Sequence, residues 1–150
     1  MTSDTESRDA CCNIWSTFNL DNTLAEYAYW RVLISPRAYT LGNCVLVLKR
    51  HIATFAVVTP LEWVEYGKIV GGLERALIKA FACDRVNYIA LMMVDRHVHT
   101  HVIPRYASSR VFAGTEWKDE GWPYPPQLQA KTVEPETLNS ICDTLRNNLH

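Results

Sequence analysis

His97-Val98-His99-Thr100-His101-Val102-Ile103-Pro104-Arg105 places three of the chain's five histidines in one five-residue window. Val98, Val102 and Ile103 are β-branched, and the run before them, Val86 to Val94, is largely apolar, so the window reads as a strand over His97 to Ile103. A strand alternates its side chains between two faces. His97, His99 and His101 therefore share one face, while Val98, Thr100 and Val102 point to the other. Only Asp95-Arg96 separates this strand from Val86–Val94, which predicts a tight antiparallel hairpin. Three imidazoles in line on a sheet face mark the candidate site.

Upstream, Thr59-Pro60-Leu61-Glu62 carries an N-cap threonine, proline at the first helical position and glutamate at the third. Val64, Ile69, Leu73, Leu77, Ile78 and Phe81 continue it as an apolar stripe, ending near Cys83-Asp84. Gly71-Gly72 lowers helix propensity by about 1 kcal/mol per glycine, which suggests close packing against a neighbouring backbone. Before the helix, Tyr29–Ile34 and Asn43–Lys49 read as two strands joined through Gly42, and Asn22 as the cap of a short helix over Thr23–Glu26. After the histidines, residues 106–132 look irregular, and a last helix from Pro135 aligns Leu138, Ile141, Cys142, Leu145 and Leu149. The order predicts an α+β fold, an antiparallel meander sheet with one main helix and a C-terminal helix. It makes a single domain of residues 14–150 behind a disordered tail of residues 1–13.

A formal net charge of −1 provides no electrostatic footprint for nucleic acid or an anionic membrane. No apolar stretch is long enough to span a bilayer, and the polar first ten residues do not form a secretory signal. Five cysteines, an odd number without C-x-x-C spacing, read as reduced thiols of a cytoplasmic protein.

Three chemistries fit histidines on a strand. A metal site is opposed by distance: His97 and His101 lie about 13 Å apart along an extended backbone, against metal–nitrogen bonds of about 2.1 Å. A nucleophilic site fits better, since neutral imidazole attacks phosphorus and leaves a phosphoramidate that water cleaves. The middle histidine is then the natural nucleophile. The third reading, half-buried histidines without chemistry, requires partners for six ring nitrogens.

The window resembles the signature of the histidine-triad superfamily of nucleotide hydrolases and transferases, His-φ-His-φ-His-φ-φ with φ apolar. The similarity extends over about residues 29–106, including GNCVLVLKRH at residues 42–51 and the long helix. The resemblance implies that His99 attacks the α-phosphate, that His97 and His101 orient the site and bind phosphate or leaving-group oxygens, and that no metal or other cofactor takes part. It further implies nucleotides or nucleotide conjugates as ligands, in the form of dinucleoside polyphosphates or nucleoside phosphoramidates, and a homodimer. Thr100 stands at a usually apolar position, and Asn43 stands where many relatives have a further histidine. A glycine-rich phosphate-binding loop before the triad is reduced to Asp95-Arg96. The candidate nucleotide- or phosphate-binding residues are Ser35, Asn43, Asp95, Arg96 and Arg105, with the two arginines compensating for the lost loop through charge-assisted bonds. Leu33 and Val45 are candidates for a base pocket, His51 for a structural part at a strand end, and Trp117 and Trp122 either border the pocket or cover the sheet. The alternative to an enzyme is a nucleotide-binding module acting through partners.

Overall fold

The computed structural model describes residues 14–149, so the tail assigned to residues 1–13 lies outside the described residues apart from its boundary. Five strands form the main antiparallel sheet: β1 (Thr23–Glu26), β2 (Trp30–Ile34), β4 (Cys44–Leu48), β5 (Arg85–Ile89) and β6 (His99–Arg105). Their spatial order is β1-β2-β4-β6-β5. The chain meanders through the first three, crosses over in a long helix, reaches the far edge as β5 and returns as β6 between β5 and β4. Thr23–Glu26 is thus a strand and not the helix expected from Asn22. Asn19 caps only a 3-10 turn (Leu20–Asn22), and the segment pairs with β2 from Thr23↔Leu33 to Glu26↔Arg31.

The long helix, α2 (Pro60–Phe81), follows a single helical turn, α1 (Ile14–Thr17), and precedes α3 (Pro135–Asn148). The capping box forms as the sequence predicts: Thr59 Oγ1 accepts from the Glu62 amide, and the Thr59 amide donates to Glu62 Oε1. Ala82 closes the helix in the left-handed region at φ 54°. The buried stripe is Glu62, Ile69, Leu73, Ala76, Leu77 and Phe81, whereas Val64 and Ile78 are more than half exposed on the opposite side. Gly71 and Gly72 meet no neighbouring backbone. A Cβ at Gly71 would touch only the end of the Arg75 side chain at 3.4 Å, so the close-packing role does not hold.

Alternation splits the sheet into two unequal faces. Trp30, Val32, Ile34, Cys44, Leu46, Leu48 and Val102 meet α2 and α3 in the large core. Trp30 is fully buried, and its Nε1 donates to the Glu62 carbonyl at 2.8 Å. Leu33, Val45 and Val47 face the other way, under Ile14 and Phe18 with Trp15 packed against them. That second face carries the histidines, because β4 and β6 pair Val45↔His101 and Val47↔His99.

The predicted tight hairpin opens into a loop. Pairing of β5 with β6 stops at Ile89↔His101, leaving residues 90–98 as a connection in which Met92 adopts φ 50°. His97 therefore precedes the strand rather than lying in it. Its neighbour Val98 is held by backbone bonds to Ile52 and Leu48. The irregular stretch after β6 contains a hairpin, β7 (Arg110–Phe112) with β8 (Thr115–Trp117), and β9 (Lys131–Thr132) pairs with β3 (Arg37–Ala38).

Candidate active site

Carbonyl partners assign the ring protons of His97 and His99. His97 Nε2 lies 2.5 Å from the Leu48 carbonyl, which only accepts, so Nε2 carries the proton. Nδ1 of the neutral ring is then an acceptor, and His51 Nδ1 donates to it at 3.1 Å. Burial holds His97 below the ordinary histidine pKa, which keeps it neutral and supports this arrangement. His51 at the end of β4 is thus wired to the triad. Its place directly after Lys49-Arg50 gave no hint of that, because only the backbone bonds of Val98 to Leu48 and Ile52 bring the two rings together.

His99 repeats the pattern one step along. Its Nδ1 donates to the His97 carbonyl at 2.6 Å, which fixes the ring and leaves the Nε2 lone pair unspent. His99 is 5% exposed and lines a cleft of about 390 Å³. His101 lines the same cleft with its ring centroid 5.3 Å from that of His99. Burial, with the His99 ring beside it, lowers the His101 pKa to about 4, so it is neutral at physiological pH. Phe18 stands 6.2 Å from both rings, and Trp15 packs edge-on to His97 at 5.8 Å. Thr100 is buried on the core face, as the alternation requires.

The remaining candidates divide. Ser35 lines the cleft, with its hydroxyl donating to the Arg37 carbonyl at 2.5 Å. Asp95 lines it too; Oδ1 accepts the His97 amide at 3.1 Å, and Oδ2 is buried without a hydrogen-bond partner among the described residues. Arg96 is exposed and not among the residues lining the cleft. Asn43 is a correction: 1% exposed, it donates to the Cys44 and Val102 carbonyls and accepts the Tyr39 amide, which ties the β3 loop to β6.

Arg105 is the second correction. It is 4% exposed, grips Asp119 through Nε at 2.7 Å and Nη2 at 3.2 Å, and donates further to Asn87 and to the Tyr124 carbonyl. Four of its five N–H donors go to these acceptors and pin the aromatic segment to the sheet end, and Arg105 is not among the residues lining the cleft. Leu33 and Val45 are fully buried under Ile14 and Phe18 and do not wall the cleft. Trp117 packs against the large core, and neither it nor Trp122 reaches the cleft; Leu128 and Ala130, farther along, do. No local pattern marks Arg37, Tyr39 or the loop residues Leu91–Val94 as cleft walls, because they come together only through loop geometry.

Among the described residues no group of three or more His, Cys, Asp and Glu side chains is placed to hold a metal ion. What the arrangement supplies chemically is one oriented imidazole lone pair at a cleft, a second neutral imidazole beside it and, among the described residues, a single cation, Arg37, on the wall.

No protein-family model and no curated protein matches the chain. Solved structures do. A histidine triad protein from Sinorhizobium meliloti 1021 is 21% identical with a TM-score of 0.69, covering 89% of this chain and 98% of that one. One from Marinobacter aquaeolei VT8 is 21% identical with a TM-score of 0.68, covering 89% and 96%. One from Bradyrhizobium japonicum is 18% identical with a TM-score of 0.67, covering 89% and 99%. The chain has the fold of these histidine triad proteins.

Proposed function

We propose that this chain is a histidine-triad nucleotide hydrolase or nucleotidyl transferase that works through a covalent nucleotidyl-His99. The observation that carries the reading is the 2.6 Å bond from His99 Nδ1 to the His97 carbonyl, which orients the opposite nitrogen as a nucleophile at the cleft. In the first step Nε2 of His99 bonds to phosphorus while the bond from phosphorus to the leaving group breaks. The leaving group departs with the electron pair and gains a proton. In the second step water attacks phosphorus, the P–N bond breaks, His99 is restored and a nucleoside monophosphate is released. Net, one water is consumed, and its proton balances the one taken by the leaving group.

The other groups have supporting roles. His97, fixed by Leu48 and His51, holds the carbonyl that orients His99. His101 stays neutral and can share a hydrogen bond with a phosphate or leaving-group oxygen. Ser35 and Arg37, both on the cleft wall, are assigned to ribose or phosphate oxygens in this reading, and the covalent step it describes uses no metal. The same reading implies a homodimer, supported by the exposed stripe Leu61, Val64 and Ile78 on α2. A cytoplasmic location is supported by the free, buried thiols of Cys44, Cys83 and Cys142. No helix among the described residues is long and apolar enough to cross a membrane.

Rapid acid or base quenching of protein mixed with a radiolabelled nucleoside 5′-phosphoramidate tests the reading. The expected result is an acid-labile, base-stable label on the peptide containing His99. Turnover without label, retained in His99→Ala, overturns it. Saturable nucleotide binding with neither label nor turnover selects the alternative, a binding module acting through partners.

A further inference from the structure

A second cavity, of about 450 Å³, opens on the helix side of the sheet, where α2 and α3 meet β1. It shares no lining residue with the triad cleft. Its floor is apolar: Leu24 and Ile69 belong to the large core, and Leu149 packs against it. Its rim is cationic. Lys68 and Arg75 reach it from α2 and Arg146 from α3, all three exposed. In a chain with a formal net charge of −1, three cations around one apolar floor are a local excess. Among the described lining residues Glu65 is the single carboxylate. It is spent on backbone, accepting the Ala28 amide at 3.0 Å and the Tyr29 amide at 2.7 Å.

The cations are not spent. Lys68 and Arg75 make no hydrogen bond or ion pair among the described residues, and Arg146 donates to the Thr23 carbonyl at 2.7 Å. The Arg146 contact with Asp143 is long, 3.7 Å, and open to solvent, so it neutralises little. Arg75 lies back along α2: its Nη1 is 3.4 Å from where a Cβ of Gly71 would stand, and its Nη2 4.0 Å from where one of Gly72 would. Glycine inside a helix costs stability, and no neighbouring backbone comes close enough to account for this pair. Space for the guanidinium, and for an occupant of the cavity that Gly72 lines, accounts for both.

Three positive charges against one negative leave two, which matches a phosphomonoester near neutral pH. A carboxylate would leave one charge unmatched. The planar fork of Arg75 suits two phosphate oxygens at once. Tyr27, also in the lining, brings an aromatic ring, and burial with Glu65 beside it raises its phenol, which stays an O–H donor.

We propose that this cavity is a second ligand site, independent of the triad, for a small phosphomonoester with a flat apolar body. Lys68, Arg75 and Arg146 hold the phosphate at the rim, and the body lies on Leu24, Ile69 and Leu149 beside the Tyr27 ring. The claim concerns binding alone and stands apart from the covalent reading.

Calorimetric titration of the full chain with phenyl phosphate, methyl phosphate and phenol tests it, beside NMR of methyl-labelled protein. Phenyl phosphate is expected to bind with a dissociation constant below about 1 mM, and to bind His99→Ala as tightly. It is expected to shift the methyl signals of Leu24, Ile69 and Leu149. Methyl phosphate, which buries no ring, should bind at least about tenfold more weakly. Phenol, which carries no charge, should do the same, by at least about tenfold. Arg75→Ala, at an exposed position, should weaken phenyl phosphate at least about tenfold, with Arg75→Lys recovering part of the loss. In Gly72→Leu the helix gains propensity, so the thermal midpoint should hold or rise, while the new side chain fills the cavity and lowers affinity at least about tenfold. Shifts confined to Leu91, Met93 and His101 would put the phosphate in the triad cleft and overturn the proposal. Absence of saturable binding, equal affinity for the methyl and phenyl esters, or affinity unchanged in Arg75→Ala would overturn it as well.

Discussion

The two faces of the sheet differ in depth. On one, Trp30, Leu46 and Leu48 lie under two helices in a core that also takes in Leu73, Leu77, Ile141 and Leu145. On the other, among the described residues, the apolar cluster is five buried residues, two of them from or just after a single helical turn, with Trp15 packed against them, and histidines continue the same surface. β4 serves both, with every residue from Cys44 to Leu48 buried. The lesson is a division of labour across one strand pair: stability resides on the helix side, which frees the thin side to hold oriented polar groups at an open cleft. Substitutions on the two faces should therefore move different observables.

The largest contrast is His99→Ala against Leu73→Ala. The first removes the nucleophile, so kcat/KM should fall by about 10³-fold or more, equivalent to about 4 kcal/mol, with the unfolding midpoint little changed. The second empties a fully buried site and should cost about 2–5 kcal/mol of unfolding free energy. Its specific activity should persist wherever the protein remains folded. Denaturant titration and steady-state kinetics on both variants check this. A large stability loss in His99→Ala would show the thin face to be structural after all.

Arg105 sharpens the comparison at the sheet end. As a phosphate ligand its loss would raise KM. As the bidentate partner of buried Asp119, its replacement by alanine should instead destabilise by about 3–5 kcal/mol, because the Asp119 carboxylate is left buried and uncompensated. Urea unfolding of Arg105→Ala beside Arg105→Ala/Asp119→Asn decides it, with the double variant recovering part of the loss.

How much of this was legible depended on periodicity. The α2 capping box, the two strands flanking Gly42 and the shared face of His99 and His101 follow from local pattern, and pattern survives folding. What escaped depends on pairing register. His51 joins His97 only because Val98 is bonded to both Leu48 and Ile52, and Asn43 becomes a backbone clamp only because Val102 lies opposite Cys44. The apolar run through Val94 reads as one long strand, yet pairing ends at Ile89 and the remaining residues turn into the cleft lip. Apolar composition cannot by itself tell an edge strand from an apolar loop, since both leave apolar side chains open to water. Likewise Arg105, next to the signature, reads as a phosphate contact until its partner 14 residues later is brought to it by the chain's return.

Acid should separate the faces by charge. His101 has a pKa near 4 in the fold against 6.5 unfolded, so between these values the unfolded chain binds the proton first. Stability is therefore full above pH 6.5 and is lost as pH falls toward 4, by at most about 3.5 kcal/mol at about 1.4 kcal/mol per pH unit. His97, lowered in the same direction, adds to the slope. Glu62, held below its ordinary value by Arg50, loses its contribution only below about 4.5, so the upper window belongs to the histidine face. Unfolding free energies at pH 7, 6 and 5 should fall in wild type and flatten in His101→Phe. An unchanged slope would place the acid sensitivity elsewhere.

The smallest effect tests the outer surface of α2, where Val64, Gly71 and Ile78 share the side opposite the buried stripe. If that side faces water in an isolated chain, Gly71→Ala should stabilise by up to about 1 kcal/mol, because alanine loses less backbone entropy in a helix and the Cβ meets only a mobile arginine end. If the side packs closely against α2 of a second copy, as the proposed homodimer allows, the same methyl group would hold two backbones apart and weaken the assembly. Thermal unfolding at two protein concentrations distinguishes them. A midpoint that rises and does not depend on concentration assigns the glycine to an unpartnered surface. A lowered midpoint that recovers with concentration places Gly71 at the dimer contact, and then the deep face of the sheet extends its stabilising side across to the partner.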